Sequence, residues 1–276
     1  MASTRPPPAP LETRASAPVD SGRRGRSLAA LLPAAALVGL MLVLAWAYLG
    51  WMDWGMRNME AGADMWIMPR MVGWGAADVA LVFLMWAVMM AAMMLPSALP
   101  AILMVARVSS SVTPPYRAGV GLAGAFVAGY LLAWSGFSLV ATLLQWALLE
   151  RALVTPMMQS AKQALSAAIL ITAGLYQFTP LKNACLRQCR SPLGLVMEVV
   201  AAPRSALSIG FRHGLYCVGC CWALMGLLFV TGVMNLLWVI IIAVYVGLEK
   251  VLPSTAWLSR GAGILLCAAG IWLAVA

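Results

Sequence analysis

From Leu28 to Met52 no side chain carries a charge, and the run is long enough to cross a bilayer as a helix. Further apolar runs follow at about 79–105, 119–149, 165–181, 215–230, 236–248 and 262–276. Inside lipid every backbone N–H and C=O needs an internal partner, so each run is expected to be helical. Only 10% of the 276 residues are charged and 63% are hydrophobic; a soluble domain carries about 25% charged residues. The expected fold is therefore all-α, a polytopic transmembrane helix bundle of about seven spans over residues 28–276. Residues 1–27, rich in Pro, Ala, Ser and Arg, read as a disordered basic tail. The first run exceeds a signal-peptide core and lacks a small-residue cleavage site, so it is expected to be a retained span.

The net charge of +9 does not point to nucleic acid, because the basic residues are scattered between apolar runs. They act instead as topology signals. With seven spans, fourteen of the 18 basic residues fall on one side, which the positive-inside rule makes cytoplasmic. The N-terminus is then cytoplasmic, and a multi-pass protein of a bacterial inner membrane in contact with lipid is expected. Segment 53–78, dense in Met and Trp, falls outside at the headgroup level. Linker 182–213, basic and cysteine-bearing, falls inside, and Glu249-Lys250 reads as an interfacial charge pair. The glycines Gly121, Gly124, Gly129 and Gly136 would let the third span approach a neighbour closely.

Chemistry concentrates in His213-Gly-Leu-Tyr-Cys217-Val-Gly-Cys220-Cys221-Trp222, which holds the chain's single histidine and three of its six cysteines. On a helix His213, Cys217 and Cys221 share a face, with Cys220 beside them. Cys185 and Cys189, four residues apart, can present two more sulfurs from a short helix. Brought together, these residues form a soft-metal ligand set, with Cu(I) the leading candidate and Zn(II) the competitor. His213 would be an outer or alternative ligand. In the second span Met85, Met89 and Met93 form one row and Met90 and Met94 the next. Met89, Met90 and Met93 are candidate thioether ligands of a secondary or transit site, against the alternative that methionine merely fills a core. Cys267 reads as a packing residue.

The blocks Met85-Trp86-x-x-Met89-Met90-x-x-Met93-Met94-Leu95-Pro96, Cys185-x-x-x-Cys189-Arg190-x-Pro192-Leu193, His213-Gly-x-x-Cys217-x-Gly-Cys220-Cys221-Trp222 and Glu249-Lys250-x-x-Pro253 resemble the DUF2182 family. These are integral membrane proteins predicted to bind metal, so the resemblance implies a metal role without naming the metal. A soft-metal, foremost copper, handling or transport protein is expected, with the metal ion as partner and a metallochaperone or membrane subunit as a further one. Two other readings stay open. Cys217-Val-Gly-Cys220 could serve a membrane thiol–disulfide oxidoreductase with Cys185 and Cys189 as the second pair, or the cysteines could be inert in a structural or assembly subunit. The sequence holds no ATP-binding motif, nucleophile triad or haem attachment motif, so hydrolytic chemistry is not expected.

Overall fold

The structure is a computed structural model that describes residues 21–57, 74–112, 116–153, 162–202, 205–233, 235–252 and 256–276. Every regular element among them is a helix: α1 (Ser21–Arg57), α2 (Ala76–Val112), α3 (Tyr116–Glu150), α4 (Gln163–Tyr176), α5 (Pro180–Arg190), α6 (Pro192–Ala201), α7 (Ala206–Met225), α8 (Leu228–Thr231), α9 (Leu236–Val251) and α10 (Ala256–Val275). The N-terminal tail up to residue 20, and residues 58–73 of the Met- and Trp-rich segment, lie outside the described residues. Five helices are long and apolar enough to cross a membrane, and α4 with α5 makes a sixth candidate as a pair bent by 63°. At 16 residues, α9 is shorter than these.

Three departures from the expected elements shape the interior. The second span, expected to end near residue 105, runs on as α2 through Pro96 and Pro100 to Val112. Each proline removes one intrahelical hydrogen bond, a loss that membrane helices tolerate where neighbouring groups satisfy the freed backbone. The expected fourth span breaks instead at Gln177–Thr179. Thr179 caps a new helix by accepting from the Lys182 N–H, with Pro180 in the first turn. The chain bends by 63° there, so part of the stretch expected as a linker becomes α5 and brings Cys185 and Cys189 onto α7. The third departure is that α7 starts at Ala206, which places His213 and the three following cysteines well inside a helix rather than at its start.

Helix α7 packs most extensively on α3, through glycines. A β-carbon on Gly210 would stand 2.0 Å from Phe126 O, and one on Gly129 the same distance from Leu207 O. The two backbones therefore touch, as small-residue seams in membranes allow. Of the four glycines expected to serve close approach on α3 only Gly129 does so; Gly121, Gly124 and Gly136 meet nothing within 4 Å. Gly210→Val is expected to destabilise the fold by about 1–3 kcal/mol or more through overpacking. Unfolding in detergent measures it, and Gly121→Val should be close to neutral.

Candidate metal centre

Helix α5 brings the second cysteine pair onto α7. Cys185 Sγ lies over Gly219, close enough that a β-carbon there would come within 2.8 Å of it. Cys189 reaches the thiols of Cys217 and Cys220. The thiols of Cys189, Cys220 and Cys221 are all neighbours of the Cys217 thiol. Cys217, Cys220 and Cys221 are buried, Cys185 and Cys189 partly so, and all six cysteines of the chain are free thiols. Cys267 is remote from this group and packs against Gly174. Gly219, between Cys217 and Cys220, is thus the gap that admits α5. On the far side of the gap Tyr176, the last residue of α4, donates its hydroxyl to Gly219 O and sets its ring edge-on to Trp222 at 5.2 Å.

Two other helices complete the surroundings of Cys217. Lys250, on the last turn of α9, donates to Cys217 Sγ at 3.0 Å and to Ser97 Oγ at 2.8 Å. The same ammonium lies 3.9 Å from Met94 Sδ. From α3, Tyr130 hydrogen-bonds Cys217 Sγ at 3.0 Å and donates to Met94 O at 3.2 Å. A cavity of about 290 Å³ opens beside them, lined among others by Met104, Cys189, Arg190, His213, Cys217 and Lys250. Of the clustered sulfurs, those of Cys189 and Cys217 therefore face the cavity, while Cys220 and Cys221 are buried behind them.

An ion pair holds α5 in this position. Lys182 and Glu249 meet at 2.6 Å with side chains 0% and 2% exposed. Glu249 Oε1 accepts in addition from Tyr245 at 2.9 Å and Ser259 at 2.6 Å, and Lys182 donates to Gln177. The pair ties α5 to α9 and α10, and a buried carboxylate with this many donors is a satisfied one. Glu249 and Lys250 therefore do not form the charge pair with each other that the sequence suggested. Consecutive helical residues point in different directions, and these two serve different partners.

The remaining candidate ligands fall outside the thiol group. His213 lines the cavity one turn before Cys217, with its ring 5.7 Å from that of Phe126 and 6.1 Å from that of Tyr130. Met89, Met90 and Met93 are fully buried in the core formed with α3 and α7, and Met94 is the thioether that reaches Lys250. Among the described residues no three His, Cys, Asp or Glu side chains already surround one point as an ion would require. Cys220 and Cys221 both turn their S–H groups onto Cys217 O at 3.0 Å. The donors are assembled but hydrogen-bonded to the protein. Sequence reasoning missed Tyr130, Ser97 and the role of Lys250. A lysine closing an apolar run was the available signal, since ionisable groups at membrane depth commonly mark a site.

Soft donors gathered at one cavity suit a soft cation, thiolate and thioether being the ligand types that favour copper(I). Neither the curated proteins nor the solved structures give a significant match to the chain. The family PpoB2, described as copper chaperone, matches residues 83–273, from within the second helix into the last one and across every residue of the candidate centre. The chain belongs to this copper chaperone family.

Proposed function

We propose that the protein is a multi-pass membrane copper chaperone that carries Cu(I) as cargo on Cys217 together with Cys189, Cys220 and Cys221. Cys185 stands at the margin, Met94 offers a thioether, and His213 is an outer ligand at the cavity. The observation that carries this reading is the convergence of α5 thiols on α7 thiols beside an open cavity. Loading turns Cys220 and Cys221 away from Cys217 O, a change of side-chain rotamer only. The reading includes seven passes in a bacterial inner membrane with the N-terminus cytoplasmic. Lys182 and Lys250 are engaged internally and no longer count as topology signals, yet the basic residues left are still concentrated on one side.

The test is a titration of the reduced protein with Cu(I) and Zn(II) against competing chelators. The reading predicts saturable Cu(I) binding that excess Zn(II) does not displace. Equal retention of zinc would make it a zinc site, and a large disulfide fraction on thiol trapping in cells would favour the oxidoreductase reading.

Met89, Met90 and Met93 are proposed as a transit row that feeds the centre through Met94. Met89→Leu with Met93→Leu is expected to slow copper delivery to an acceptor by about tenfold, the size of a change of ~1.4 kcal/mol in a barrier. Copper bound at equilibrium should stay the same, and both quantities can be read with a chromogenic acceptor.

A further inference from the structure

We propose that Lys250 is a placeholder cation: its ammonium occupies the cargo position when copper is absent, and Cu(I) and Lys250 exchange for the same sulfur. This rests on the copper reading above and adds how the site is filled and emptied. Lys250 Nζ stands 3.0 Å from Cys217 Sγ, 2.8 Å from Ser97 Oγ and 3.9 Å from Met94 Sδ. An ammonium between a cysteine sulfur and a thioether is in the place a monovalent soft cation would take. Surface topology does not account for it, because the side chain is partly buried and directed inward from the end of α9.

Three features favour exchange over a fixed structural bond. Lysine is a flexible four-carbon arm with a compact charged end, so it can withdraw without moving the helix. The cavity beside it gives room, since Lys250 and Cys217 both line its wall. Glu249, the adjacent carboxylate, is already committed to Lys182, Tyr245 and Ser259, so it does not hold Lys250 in place. A buried charged sulfur without a cation is costly. A lysine that returns as copper departs removes that cost, and one already present keeps the empty site ready to load.

The exchange moves no electrons. A Cu–S bond forms at Cys217 as the thiolate partner of the Lys250 ammonium, any further cysteine that joins the shell gives up its thiol proton to solvent through the cavity, the N–H···S hydrogen bond from Lys250 breaks, and the ammonium keeps its protons and moves into the cavity. In release the same steps run backwards, with copper leaving on the acceptor's ligand.

The chain has three lysines, which makes the test direct. Lys162 is exposed and Lys182 is fully buried, so they serve as the two references. Wild-type protein in lipid nanodiscs is treated with a small water-soluble acylating reagent, with and without bound Cu(I), and each lysine is quantified by mass spectrometry. The expected result is slow labelling of Lys250 without copper and a rise of about tenfold on loading, the effect of losing one buried hydrogen-bond partner. Lys162 and Lys182 should not change. Unchanged labelling of Lys250 in copper-loaded protein would overturn the proposal, whereas absence of bound copper in the same samples would remove the cargo site itself. Lys250→Met should slow both loading from and release to a chromogenic chelator, and Lys250→Arg should keep more of both rates. Rates unaltered in Lys250→Met would also overturn it. The labelling uses the unaltered chain and does not depend on how either variant folds.

Discussion

Replacing Cys217 by serine is expected to lower Cu(I) affinity by more than about 100-fold, beyond the usual cost of losing an outer-shell partner of a metal. The size follows from its position. Cys217 Sγ is approached by Lys250, Tyr130 and three other thiols, and among the described residues no other sulfur is so placed. A serine oxygen is a hard donor and does not replace a soft one for copper(I). Cys267→Ser, remote from the cavity, should leave affinity unchanged and serves as the control. Competition against a Cu(I) chelator under anaerobic, reducing conditions measures both. An affinity in Cys217→Ser within a few-fold of wild type would move the cargo to another set of donors.

Glu249→Ala is expected to cost about 3–5 kcal/mol of stability, the range seen when one member of a buried ion pair is removed. Lys182 is left charged and fully buried beside Gln177, while Tyr245 and Ser259 lose their common acceptor. The consequence extends to the candidate metal centre, because this pair ties α5 to α9 beside the hydrogen bond from Arg190 to Leu252 O. With this tie lost, α5 bears less firmly on Gly219 and Cys217, and copper affinity should fall along with stability. Lys182→Met combined with Glu249→Gln removes both charges and should recover most of the loss, since a neutral, well-packed pair is tolerated where a half-pair is not. Unfolding in detergent, with copper affinity measured on the same preparations, tests the link. A loss under about 1 kcal/mol in Glu249→Ala, the value of an exposed pair, would mean that the link carries little.

Much of this centre could be read from the residues, and the limits of that reading have physical causes. The thiol spacing on α7 and α5 is a property of helical geometry, so Cys185, Cys189, Cys217, Cys220 and Cys221 were recoverable as candidates. That the two sets meet depends on the bend at Thr179–Pro180, a local signal of capping residue and proline lying inside what looked like one apolar span. Hydropathy reports how apolar a stretch is and says little about a turn within it. Lys250 shows a different limit. Beside Glu249 it suggested an adjacent pair, but the partner of each was set by helices 67 and 33 residues away in sequence. Tyr130 gave no local signal, sitting in a span otherwise notable for its glycines. Among those glycines, the one that touches α7 is distinguished only by the face it occupies.

X-ray absorption at the copper edge, on protein loaded with one equivalent of Cu(I), tests most directly whether sulfurs from α5 and α7 share one cation. A first shell made of sulfur alone, lost in Cys217→Ser and altered in Cys189→Ser, is the predicted spectrum. A shell of nitrogen and oxygen, or a sulfur shell indifferent to both substitutions, would contradict the account.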